Sequence, residues 1–111
     1  MYISVTSFKV KSIWAHFIFQ AHALSSFRQA RKSTGILKTE KFSPSRRVYN
    51  TLTHWRSEAN RLKFRGSVAH LKAIKMSNNL GRGITTGWNS NTFVNREEAC
   101  QKLQTVKGKL N

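Results

Sequence analysis

The sequence predicts an α+β fold of the ferredoxin-like, split βαβ kind, built on one four-stranded antiparallel sheet. Three observations lead there. Runs of β-branched and aromatic residues recur near the start, middle and end of the chain. Helical patterns separate them, and breakers at Gly35, Pro44 and Gly81 punctuate the joins. A chain of 111 residues is also the size of one domain, 1–111, with a single core.

Each element has a local reason. MYISVTSFKV, residues 1–10, is a strand with Ile3 and Val5 on one face and Tyr2, Phe8 and Val10 on the other. Ser12 is placed to cap a helix. From Ile13 to Lys32 the residues Trp14, Phe17, Ile18, Ala21 and Leu24 recur at helical spacing, which predicts a buried amphipathic helix stopped by Gly35. Ile36–Phe42 reads as a second strand, Ser43-Pro44-Ser45 as a turn, and Arg46–Trp55 as a third strand. Ser57 caps the next helix, whose Glu58 lies at the positive end of the helix dipole. Gly66-Ser67 should break or kink it, with a second helical piece from Ser67 to Asn78. Gly83–Asn91 is the fourth strand, with Ile84, Thr86 and Trp88 in alternation. Asn95 and Glu98 then form a capping box for a short last helix through Leu103. This order leaves one sheet face bare. It predicts a dimer through that face, with Tyr2, Phe8, Tyr49 and Thr51 among the candidate contributors.

Charge dominates the composition: 20 Lys plus Arg against 4 acidic residues, a formal net charge of +16. Seven Phe, three Trp and two Tyr exclude a disordered basic tail, and one Pro with six Gly excludes a collagen-like chain. Every quarter of the chain is net positive, so no basic arm is attached to a neutral domain. Nonspecific polyanion binding follows from such a surface more readily than a dedicated nucleic-acid site does. The single Cys100 permits no intramolecular disulfide and suits a reducing, cytoplasmic location. The apolar run Ile13–Leu24 has 12 residues, well short of the roughly 20 that cross a bilayer. No export signal with a cleavage pattern follows it. An interfacial helix is its other reading, since Trp14, Phe17 and Phe19 beside Lys and Arg suit a membrane surface.

Most catalytic schemes fail on residue types. No Asp is present, so a Ser-His-Asp triad is excluded, and no G-x-S-x-G elbow supports a Glu variant. Glu97 and Glu98 are chain neighbours rather than a facing carboxylate pair. His16 and His22 fall on different helix faces, no zinc spacing occurs, and no metal site is expected. Gly81-Arg82-Gly83 lacks the spacing of a nucleotide loop. Cys100 reads as a small buried hydrophobe. Trp55 reads first as a packing residue at a strand end, with His54 on the opposite sheet face; one of the two then faces a dimer interface.

The segment THWRSE at 53–58, followed by FRGSVAHLKAIK at 64–75, resembles the antibiotic-biosynthesis-monooxygenase-like proteins. Within them it is most similar to small proteins related to spheroidene monooxygenase. MYISVTSFKVKS and Gly83–Trp88 share the likeness, which spans most of residues 1–104. The resemblance implies a homodimeric α+β barrel of two ferredoxin-like halves and a monooxygenase-like activity. It also implies a cavity between sheet and helices that takes a small apolar ligand, through cofactor-free oxygenation or haem. His70 becomes the catalytic candidate, as proton relay or iron ligand, with Trp55 and Phe64 as apolar pocket neighbours. The bland role for His70 is a helix histidine bonded to a backbone carbonyl. Departures from the haem-degrading relatives count against haem degradation here. Ile74 stands where their axial His lies, Phe64 replaces their helix Trp, and Thr6 and Ser7 stand near their first-strand Asn. Haem binding through His70 in another register stays open. The alternative class is a non-enzymatic basic module for nucleic acid or an acidic partner. Neither RRVYNTLTHW nor MYISVTSFKV carries the aromatic motif with which such sheets bind RNA.

Overall fold

Strand β1 (Tyr2–Val10) pairs along its length on both sides, with β3 (Val48–Trp55) and with β4 (Gly81–Asn89). β2 (Ile36–Ser45) adds outside β3, giving the order β2-β3-β1-β4 with every pair antiparallel. Helix α1 (Ile13–Arg31) connects β1 to β2, α2 (Glu58–Arg65) follows β3, and α3 (Arg96–Leu110) ends the chain. The structure, a computed structural model, describes residues 1–65 and 81–110. The four-stranded, split βαβ arrangement is the expected one. The Gly66 break, the helical piece expected over 67–78 and His70 lie outside the described residues.

Side-chain alternation on β1 divides the interior in two. Ile3 and Val5 join Leu52, Val94, Ala99 and Leu103 under α3. Phe8 and Val10 join Ala15, with Phe19 and Tyr49 against them, under α1. The sheet face expected to be bare is therefore covered by α3. That helix runs well past Leu103, to Leu110, and its Ala99 and Leu103 make a buried apolar stripe one turn apart. Tyr2, Phe8, Tyr49 and Thr51 lie on the α1 side and cannot form an interface through the other face. Asn95 caps α3 as expected: its Oδ1 accepts the Glu98 N–H at 2.8 Å. Asn95→Ala should cost about 1 kcal/mol, read as a lower urea midpoint with an unchanged slope.

Two other expectations change. Ser12 caps α1, its Oγ accepting the Ala15 N–H at 3.1 Å, but the bulky stripe of Trp14, Phe17, Ile18 and Leu24 is exposed. The sheet side is taken by Ala15, Phe19 and Ala30: Ala15 packs with Phe8 and Val10, Phe19 lies against that cluster, and Ala30 is buried. β2 continues through Pro44 instead of turning at it, with a register shift between Phe42 and Ser45. On an edge strand the missing N–H costs no ladder bond. The reversal comes at Arg46-Arg47, with Arg47 at φ 66° and the Ser43 hydroxyl hydrogen-bonded to the carbonyls of Ser45 and Val48. Among the described residues no helix is long and apolar enough to cross a membrane.

Candidate functional site

A cavity of about 610 Å³ lies between the sheet and the helices α1 and α2. Its floor follows from the period of two along each strand. Ser4 and Thr6 of β1, Thr51 and Thr53 of β3, and Thr85 of β4 point to one side and present hydroxyls. The Thr6 and Thr85 hydroxyls meet across the strands at 3.0 Å. Ser4 and Thr53 are buried at the deep end, whereas Gly83, Thr85 and Gly87 are exposed along the mouth. Gly87 makes room for the Tyr2 ring. A Cβ there would sit 2.2 Å from Tyr2 Oη, so its absence lets the Tyr2 ring lie over β4.

Aromatic rings make the walls. Phe19 of α1 stacks on Phe8 with centroids 4.4 Å apart, and Tyr49 hydrogen-bonds His16 beside them. At the other end Trp55 is fully buried. Its Nε1 donates to Thr53 Oγ1 at 2.8 Å, and its ring stacks on Phe64 of α2 at 5.4 Å. The Ser57 hydroxyl accepts the Asn60 N–H at 3.3 Å, capping α2 so that Phe64 and Arg61 face the cavity.

The described lining carries three cations, Lys41, Arg61 and Arg65, and no carboxylate. Burial, reinforced by Arg65, lowers the Arg61 pKa, while Tyr2 and Glu58 act against the shift. An arginine keeps its charge even so, and this one holds it in a half-buried position. Lys41 lies 4.7 Å above the Phe27 ring. Such a lining can flank a planar ring, orient its oxygens and stabilise negative charge on it.

Of the residues singled out from sequence, Trp55 and Phe64 come together in one wall, and His70 lies outside the described residues. Arg61 and the hydroxyl floor were missed. Their signal was the Ser and Thr alternation in register with Trp55, at positions read only as β formers. His54 does point away from Trp55, but its own chain buries it. Its Nε2 accepts the Val94 N–H at 2.9 Å, and the Phe93 ring meets it edge-on at 5.1 Å, so it does not face an interface. Burial chiefly, then Lys38, lowers its pKa, with Glu40 opposing.

The described lining does not fit a haem. It offers no His, Cys or Met as axial ligand, and its tyrosines are placed otherwise, Tyr49 against His16 and Tyr2 over Gly87. Among the described residues no group of three His, Cys, Asp or Glu could hold a metal ion.

No family model and no curated protein matches the chain. Solved structures do. Rv0793 from Mycobacterium tuberculosis superposes with a TM-score of 0.74 at 14% identity, over 86% of this chain and 100% of its own. An antibiotic biosynthesis monooxygenase gives 0.73 at 12% identity, over 83% and 100%. SnoaB from Streptomyces nogalater, a cofactor-independent oxygenase, gives 0.69 at 10% identity, over 84% and 95%. At such identities the likeness is one of fold. It is the fold that the resemblance in the sequence implied, and these three structures do not bear on the relation to spheroidene monooxygenase.

Proposed function

We propose that this chain is a monooxygenase-like pocket protein that binds a planar, ring-containing organic molecule and stabilises it as an anion. The observation that carries this reading is the cavity's composition: aromatic walls, a hydroxyl floor, and Arg61, Arg65 and Lys41 without a carboxylate. The fold shared with SnoaB, a cofactor-independent oxygenase, supplies the reaction class. Oxygenation without a cofactor draws all four electrons from the substrate: a ring methylene and O₂ become a carbonyl and water, one oxygen atom going to each. The methylene must first lose a proton, and the half-buried Arg61 guanidinium favours the resulting enolate. Tyr2, Phe8 and Phe19 would flank the rings, with the fully buried Trp55 backing the wall, while Ser4, Thr51 and Thr53 orient ring oxygens. His70 is the proposed base, on the strength of the sequence resemblance.

Anthrone, an enolisable tricyclic ketone, tests this directly. The protein should consume O₂ and form anthraquinone one-to-one above the uncatalysed rate. Arg61→Gln should lower kcat/KM roughly tenfold or more, as loss of a charge-assisted contact does. His70→Ala should abolish turnover at an unchanged melting temperature. No protein-dependent O₂ uptake, together with no binding of 1-hydroxy-2-naphthoate as a planar aromatic anion, would end this reading. Homodimer assembly belongs to the same reading, and sedimentation equilibrium at micromolar concentration checks it. The alternative reading, a basic module for nucleic acid or an acidic partner, has only the +16 charge to support it.

A further inference from the structure

Among the described residues the outer face of α1 has no partner. Trp14 is 77% exposed, Phe17 63%, Ile13 62%, Ile18 44% and Leu24 41%. At 100° per residue these side chains share one arc, opposite the Ala15, Phe19 and Ala30 side that meets the sheet. Single exposed apolar residues need no explanation, but a contiguous patch of this size marks an interaction surface. The same arc turns basic in its last two turns. A shallow groove of about 270 Å³ there is lined by Ala21, Leu24, Ser25, Arg28, Gln29 and Lys32, setting two cations one turn apart beside apolar side chains.

We propose that this face seats the protein on an anionic lipid surface, with Trp14 and Phe17 at the headgroup–acyl boundary and Arg28 and Lys32 on lipid phosphates. Charge complementarity argues for that occupant. The chain carries +16, and no acidic residue occurs before Glu40, so α1 has no counter-charge of its own. A bilayer with acidic headgroups supplies both missing parts, an apolar phase and anions. A nucleic acid would neutralise the cations yet give Ile13, Ile18 and Leu24 nothing in exchange for lost water. A second copy would cover the apolar residues but bring another Arg28, Arg31 and Lys32 with no acid to meet them. No spanning helix is implied: α1 lies along the surface, its inner side still on the sheet.

Co-sedimentation with phosphatidylcholine vesicles, with and without phosphatidylserine, is the test. The protein should pellet only with the phosphatidylserine vesicles, and lipid brominated along its acyl chains should quench a fluorescence component missing in Trp14→Phe. The double variant Trp14→Ser, Phe17→Ser should weaken binding roughly tenfold or more with an unchanged circular dichroism spectrum. Arg28→Gln with Lys32→Gln should weaken it roughly thirtyfold, at about 1 kcal/mol per basic residue near such a surface. Failure to bind the acidic vesicles would overturn the proposal. So would vesicle binding that the Ser variant leaves intact, which is charge alone. A dimer in sedimentation velocity that the Ser variant dissociates would assign the face to a second copy. Single-stranded RNA binding lost in the same variant would assign it to nucleic acid. None of these four residues contributes an aromatic wall or a cation to the cavity, so the outcome is independent of the pocket's activity.

Discussion

Trp55→Ala should cost about 3–5 kcal/mol of stability. Trp55 is fully buried where β3 ends, faces the Ser57-capped helix α2, and fixes Phe64 by stacking. Removing the indole deletes that contact, leaves Thr53 Oγ1 without its donor, and opens a void beside the cavity. Against a typical total of roughly 5–15 kcal/mol, the loss is a large fraction of what holds the domain together. Trp55→Phe should cost less, since a ring still stacks on Phe64 while the Nε1 hydrogen bond is gone. Urea unfolding followed by far-ultraviolet circular dichroism separates the three proteins. A Trp55→Ala loss below about 1 kcal/mol would mean that this wall is loosely packed and cannot define the pocket's shape.

Trp55 also shows what the sequence could tell. Its face was legible, because alternation along THW puts His54 and Trp55 on opposite sides whatever the strand's partners. The element order was legible for a similar reason. Ser12, Ser57 and Asn95 each sit one residue before a helical pattern, and each caps the helix it precedes. The orientation of α1 was not. Its sequence has two apolar arcs, and the bulkier one, Trp14 to Leu24, suggested the core. The sheet selected the other, which carries Ala15, Phe19 and Ala30, and that choice depends on a tertiary surface no window of sequence contains. The extent of α3 was hidden too. Only the positions of Ile3, Val5 and Leu52 make Ala99 and Leu103 a core stripe. The cavity shares this difficulty: Ser4, Thr53 and Arg61 are distant in sequence, and only the register Ser4↔Thr53 and the seat of α2 beyond β3 bring them together.

Stability should fall as pH drops below about 6.5, and His54 should carry a distinct part of that fall. His54 is fully buried, and its Nε2 accepts the Val94 N–H, so the native ring is the neutral tautomer with its proton on Nδ1. A proton on Nε2 would face the Val94 N–H directly. Protonation must therefore break the bond that seats the segment before α3, and it must charge a buried ring near Lys38. Burial and Lys38 accordingly hold the native pKa below the ordinary 6.5, with Glu40 opposing only in part. The unfolded chain binds the proton near pH 6.5 while the native one does not. Its contribution is then complete above that value and declines as pH falls toward the native pKa, by at most about 1.4 kcal/mol per pH unit. His54→Gln keeps an acceptor for Val94 without a titrating ring, and its profile should be flatter over the same window. His54→Leu leaves the Val94 N–H unpaired and should cost about 1–3 kcal/mol at pH 7.5, with the gap to wild type narrowing as the solution is acidified. Thermal melts of the three proteins from pH 7.5 to 5 measure this. Wild-type and Gln profiles running parallel across that range would show that His54 takes up its proton in the folded protein as easily as in water, and that the bond to Val94 does not hold α3 in place.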